Sequence, residues 1–301
     1  MSDFKTRYRG HETFSIRKNW LAKGIQALKR NPTVFTDKSL APMDELGIGR
    51  NMVTSLRYWL KTLGITCEAR DPKTKKMYTD FTELGKLISQ NDPYVEETGT
   101  LWALQYKLAT NRENATSWYF FFNEFQQAEF SKVDFVGALQ NFDRMNGGST
   151  ASSSFESDLE CIINTYVSRF RNAQEIDPED NMESPFAELG LIDCTNRSKK
   201  VFKKTNPSAK DIPALVFLYA LSLEAEGYPN LEIPLSDIQN KNFSAGKAFT
   251  LDSIALMDIL GVLENRDLLQ VIRTAGLDLV KLKKGRRAID NLTEYYAELD
   301  R

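Results

Sequence analysis

Residues 42–80 read PMDELGIGRNMVTSLRYWLKTLGITCEARDPKTKKMYTD, and the parsing of this stretch decides the fold. Pro42 suits a first helical turn, where its missing N–H would have no partner, and Gly47-Ile48-Gly49 then breaks a short helix in a tight turn. Across residues 50–63, Val53, Leu56, Leu60 and Leu63 recur at spacings of three and four, so a second helix buries one face. Its other side carries Arg50, Asn51, Thr54, Arg57, Tyr58 and Lys61, residue types that contact phosphates and base edges. Gly64 ends this helix. Residues 65–69 and 76–80 pair as strands across a turn containing Asp71-Pro72, with Lys73, Lys75 and Lys76 at the tip. The expectation is a winged helix-turn-helix with a small β-wing that reads DNA. A winged helix used only for packing or protein contacts is the alternative.

The charge distribution supports the first reading. The chain of 301 residues is close to neutral at −2, which argues against coating nucleic acid by bulk attraction. Residues 1–76, however, hold 16 Lys or Arg against 7 Asp or Glu, leaving 23 against 34 in the remainder. A basic amino-terminal part faces DNA, and an acidic remainder packs, forms a homodimer or holds partners. The length suits two or three domains, and 42% hydrophobic with 27% charged residues is ordinary for a soluble globular chain. Cys67, Cys161 and Cys194 form no CxxC pair, so neither zinc nor a disulfide framework is expected. No apolar stretch is long enough to span a bilayer, and the amino terminus has no apolar signal region. A cytoplasmic protein without membrane contact follows.

Outward from the wing, the pattern is mainly α. A cationic amphipathic helix is expected over residues 15–28, then helices over 82–88, 100–110, 117–128 and 131–141. The rings of residues 118–122 belong to a core or an interface. The small polar run 147–154 reads as a linker, followed by a helix over 156–170, an acidic loop QEIDPEDNME over 174–183, a short strand over 201–204 and a buried helix over 212–226. A helix over 250–260, a helix over 265–274 and a strand over 277–282 form a second winged-helix-like unit. There Lys281 to Arg287, KLKKGRR, reads as a solvated wing tip, with contact to a phosphate backbone as the alternative. The expected division is a winged helix-turn-helix domain over 1–95, a helical extension over 96–146 and a helical carboxy-terminal domain over 155–301.

Catalytic chemistry is harder to read. His11 is the single histidine, which excludes an HNH-type metal nuclease and a multi-histidine metal cluster within one subunit. His11 and Glu12 are the candidate catalytic pair, a base beside a carboxylate able to hold Mg²⁺. Adjacent residues point apart on a regular element, so a histidine that ties down a helix start is the competing reading. There is no GxxxxGK[ST] loop, and ATP binding is not expected. Asp177, Glu179, Asp180 and Glu183 lack the glycine and ligand spacing of a calcium loop.

Gly10-His-Glu-Thr-Phe14, Asn19-Trp-Leu21, Gly47-Ile-Gly-Arg-Asn-Met-Val53, Ser55-Leu-Arg-Tyr-Trp59, Asn91-Asp-Pro-Tyr94, Gly99-Thr-Leu-Trp102 and Glu188-Leu-Gly-Leu-Ile192 together resemble one bacterial family. Its best-known members are the SspB-type DNA-nicking components of single-stranded DNA phosphorothioation systems, which replace a backbone oxygen with sulfur in antiphage defence. The resemblance covers Tyr8 to about Ile192 most clearly and runs more loosely to the end. It implies DNA binding and a single-strand nick that opens the backbone to sulfur transfer. It also implies Mg²⁺ as nuclease cofactor, and a cysteine desulfurase, an ATP-pyrophosphatase-like protein and an ATPase as partners. No family catalytic residues carry over. A non-catalytic DNA-binding adaptor or transcriptional regulator is the alternative function.

Overall fold

The computed structural model describes residues 5–36, 42–168, 183–274 and 277–299. The expected mainly α chain is observed, with small antiparallel sheets. Helix α1 (Trp20–Arg30) starts later than its apolar pattern suggested. Arg9, Glu12, Thr13 and Asn19 all have positive φ, so the segment before it cannot continue a right-handed helix. Helix α2 (Pro42–Leu46) turns at Gly47, φ 64°, into α3 (Arg50–Thr62), which buries Val53, Leu56, Leu60 and the following Leu63 as the spacing required. Gly24 of α1 meets α3 closely enough that a Cβ there would lie 2.6 Å from Leu60 Cδ1.

Strands β1 (Thr66–Arg70) and β2 (Met77–Phe81) form a hairpin in which Glu68 pairs with Thr79. The Thr79 N–H donates to the Pro32 carbonyl at 3.0 Å and ties the hairpin to the loop after α1. Thr82 then caps α4 (Glu83–Asn91), its hydroxyl accepting from the Gly85 N–H at 3.0 Å.

Helix α5 (Thr98–Ala109) is enclosed on nearly every side and organises the rest. Its buried polar side chains are answered by other elements, as burial demands. Trp102 Nε1 donates to the Asp211 carbonyl at 2.7 Å, Gln105 Nε2 to the Ala248 carbonyl at 2.9 Å, and the Tyr166 hydroxyl to Gln105 Oε1 at 2.5 Å. Helix α6 (Thr116–Tyr119) runs into a π-helical turn over Phe120–Glu124, and the Trp118 to Phe122 rings are core, as expected. A three-stranded sheet of β3 (Glu129–Phe130), β4 (Ile192–Asn196) and β5 (Val201–Lys204), with β5 central, flanks α7 (Lys132–Met145) and α8 (Ser152–Tyr166). Ser152 to Ser154, which look like linker, are the first turn of α8.

The carboxy-terminal elements begin with the apolar α9 (Ala214–Ala225) and β6 (Glu232–Pro234). The short helices α10 (Leu235–Asn240) and α11 (Ala245–Ala248) follow, then α12 (Ser253–Asn265), β7 (Leu269–Thr274), β8 (Leu277–Leu282) and α13 (Ala288–Leu299), which packs along α9. The sheet order is β6-β8-β7. The helix expected over residues 265–274 is therefore a strand. Helix α12 ends at Asn265, Asp267 takes a positive φ of 57°, and the β-branched Val271 and Ile272 pair with Val280 and Leu279.

Candidate nucleic-acid interface

Arg50, Asn51, Thr54, Arg57 and Lys61 occupy the outward side of α3, because steps of three and four return to one face of a helix. Arg50, Asn51, Thr54 and Lys61 are exposed, and Arg57 is half-buried. The Thr54 hydroxyl donates to the Arg50 carbonyl at 3.3 Å. Arg57 is held from two directions: Nη1 donates to the Phe35 carbonyl at 3.2 Å and Nη2 to Glu68 Oε1 at 2.7 Å. Lys61 Nζ reaches the other oxygen of the same carboxylate, Oε2, at 3.1 Å. Partial burial pushes the Glu68 carboxyl up, but the hydrogen bond from Lys61 and the charge and hydrogen bond of Arg57 outweigh it and leave the pKa lowered.

Tyr58 does not belong to this face. It is buried, and its hydroxyl donates to the Asn114 carbonyl at 2.8 Å. The cause is the polar lead of the chain, which folds back over it. The Arg7 guanidinium stacks 5.1 Å from its ring, and Gly10 lies so near that a Cβ would come within 2.4 Å of Tyr58 Cε2. Burial pushes the phenol pKa well above its ordinary value.

Lys73, Lys75 and Lys76 are exposed in the hairpin turn, as expected. Asp71 builds that turn by accepting from the Lys73 and Thr74 N–H groups at 2.8 and 2.6 Å. Those bonds, that from Thr74 foremost, lower its carboxyl pKa. The turn leaves Lys75 with a φ of 59°.

The candidate catalytic pair is split. His11 is wholly buried, while Glu12, with φ 51°, is exposed. The Thr13 N–H donates to His11 Nδ1 at 3.1 Å, so the ring proton is on Nε2, which donates to Asp158 Oδ1 at 2.8 Å. Trp59 and Trp118 cover the ring at centroid distances of 6.1 and 5.7 Å. Sequence reading missed Asp158, although one signal was available: an acid between Phe155, Leu159 and Ile162 on the buried side of α8. Glu68 carried no comparable signal.

Among the described residues, no three His, Cys, Asp or Glu side chains converge to hold a metal ion. Asp177, Glu179 and Asp180 lie outside the described residues, whereas the Glu183 carbonyl accepts from the Lys18 N–H at 3.0 Å. The described donors thus do not assemble a three-ligand Mg²⁺ site. Four cations of the basic run over residues 281–287 are answered by carboxylates. Lys281 pairs with Glu232 at 2.6 Å, Lys283 with Asp267, Arg286 with Glu294, and Arg287 with Glu83 at 2.8 Å and Asp290 at 3.0 Å. No described helix is long and apolar enough to cross a membrane.

A mainly helical protein with an exposed cationic helix beside a lysine-tipped hairpin is thus defined. The chain belongs to DUF4007, a protein family of unknown function, which it matches over residues 8–296. Its fold is similar to that of SspB. Against a magnesium ion-bound SspB crystal structure it is 27% identical with a TM-score of 0.83, covering 96% of this chain and 88% of that one. Against a second SspB crystal structure the identity is 27% and the TM-score 0.83, covering 98% and 90%. Comparison with curated proteins gave no match.

Proposed function

We propose that the chain is the DNA-binding component of a bacterial phosphorothioation antiphage system. In this reading α1, α2, α3 and the β1–β2 hairpin are a winged helix-turn-helix within residues 1–95. The helical extension over 96–146 and the carboxy-terminal domain over 155–301 form the body that partners grip. The observation that carries it is the row Arg50, Thr54, Arg57, Lys61 on the outward side of α3 beside the exposed Lys73, Lys75 and Lys76. Arg50 and Asn51 open the helix, where short reach to base edges is available, and the lysines suit the phosphate backbone. The likeness to SspB supports a setting in which one DNA strand is nicked before sulfur enters its backbone. A cysteine desulfurase, an ATP-pyrophosphatase-like protein and an ATPase are the partners that this setting calls for.

A second reading, a non-catalytic adaptor that places other enzymes on DNA, is favoured by the burial of His11, with no three metal-ligating side chains converging among the described residues. The carboxy-terminal unit fits a protein-facing role. Helix α12 has no Lys or Arg, and its exposed Ile254 and Val262 offer nothing to a phosphate. The two readings separate in a supercoiled-plasmid assay with Mg²⁺ against an EDTA control. Relaxation of the plasmid by the purified chain, abolished by EDTA, supports the nickase. Binding without relaxation supports the adaptor. Mg²⁺ held by one or two carboxylates with several waters is compatible with the nickase arm, and no catalytic residue is assigned.

A further inference from the structure

Glu68 is an acid in the middle of a surface proposed to bind an anion, and its geometry gives it a role there. Its two oxygens are divided between two cations of the α3 row, Arg57 Nη2 at 2.7 Å and Lys61 Nζ at 3.1 Å. Two non-ester oxygens of a phosphodiester would bridge the same pair of donors in the same way. The contact is shallow, with the Arg57, Lys61 and Glu68 side chains 40%, 41% and 30% exposed, so a ligand arriving from solvent meets all three. Arg57 has a second anchor in the Phe35 carbonyl, which keeps its guanidinium in place when the carboxylate leaves. Glu68 itself sits on β1, the strand that leads into the lysine-tipped turn.

We propose that the Glu68 carboxylate occupies a phosphate subsite formed by Arg57 and Lys61, and that a DNA phosphate must displace it. The inference rests on the DNA-binding reading of α3. Exposed ion pairs are weak, so displacement is easy but not free. Its consequence is a uniform cost on every duplex that fills the subsite. Glu68 thereby lowers non-specific affinity, which is otherwise almost wholly a matter of phosphate contacts. Arg57 and Lys61 are also kept extended and ready in the free protein.

The test compares wild type, Glu68→Gln and Asp44→Asn by fluorescence anisotropy on a random-sequence duplex over a range of salt concentrations. Asp44 is an exposed acid of α2 in the same module with no contact to Arg57 or Lys61, so it reports the effect of removing one negative charge. Glu68→Gln is expected to bind about five- to tenfold more tightly, the scale of losing two exposed ion pairs as competitors, with a log–log salt slope steeper by about one. Asp44→Asn is expected to stay within about twofold of wild type. Wild type that binds while Glu68→Gln matches Asp44→Asn, or binds less tightly, overturns the proposal and makes Glu68 a brace. Absence of salt-sensitive binding in all three proteins overturns the DNA-binding reading and the proposal with it.

Discussion

His11 Nε2 lies 2.8 Å from Asp158 Oδ1, a buried contact between residues 147 positions apart that fastens the amino-terminal segment to α8. Asp158 accepts two further bonds, from the Arg9 N–H at 2.8 Å and from the Ser117 hydroxyl at 2.5 Å. Removing Asp158 leaves three donors without their acceptor, and removing His11 takes one of three donors from a buried carboxylate. Asp158→Ala and His11→Ala are each expected to cost about 3–5 kcal/mol, read as a lowered urea midpoint. Because both act through one contact, the double variant should lose clearly less than the two losses added together. Full stability in His11→Ala, together with lost nicking, would instead return the residue to catalysis.

Glu224 supplies a pH test. Its Oε2 accepts from the Ala245 N–H at 3.0 Å while Oε1 has no hydrogen-bond partner, and burial pushes the carboxyl up to about 7 from an ordinary 4.5. Between those two values the native state keeps a proton that the unfolded chain has released. The stability owed to this group is therefore present below pH 4.5 and lost as the pH rises through about 7, on the order of 3 kcal/mol in all. Glu224→Gln should flatten the stability profile across that window. Lys204 runs the other way: burial, then Lys247, brings its ammonium down to about 7 from 10.5, so its burden lifts as the pH rises between those values. Urea midpoints at about pH 5, 7 and 9 check both; an unchanged slope in Glu224→Gln contradicts the assignment.

Much of α3 was legible because its apolar spacing had one helical solution. Val53, Leu56, Leu60 and Leu63 could share a face only as a helix, and Gly47 marked the turn before it. What the local pattern could not carry was long-range cover. Tyr58 reads as part of the polar side until Arg7 and Gly10 fold over it, and Glu68 reads as a strand residue until Arg57 and Lys61 reach it. Residues 265–274 fit both periods: Leu268, Val271 and Ile272 suit a helix, and only pairing with β8 selects the strand. Gly85 reads as an ordinary helical position, yet a Cβ there would lie 1.9 Å from the Ile65 carbonyl oxygen, an approach that only glycine permits.

The central claim, that the outward row of α3 meets DNA, is tested most directly by the salt dependence of duplex binding in wild type and in Arg50→Ala/Arg57→Ala. Loss of two cationic contacts is expected to weaken binding by roughly ten- to a hundredfold and to flatten the log–log salt slope by about two. Wild-type affinity and slope in a double variant that keeps the wild-type circular dichroism and unfolding midpoint would contradict it.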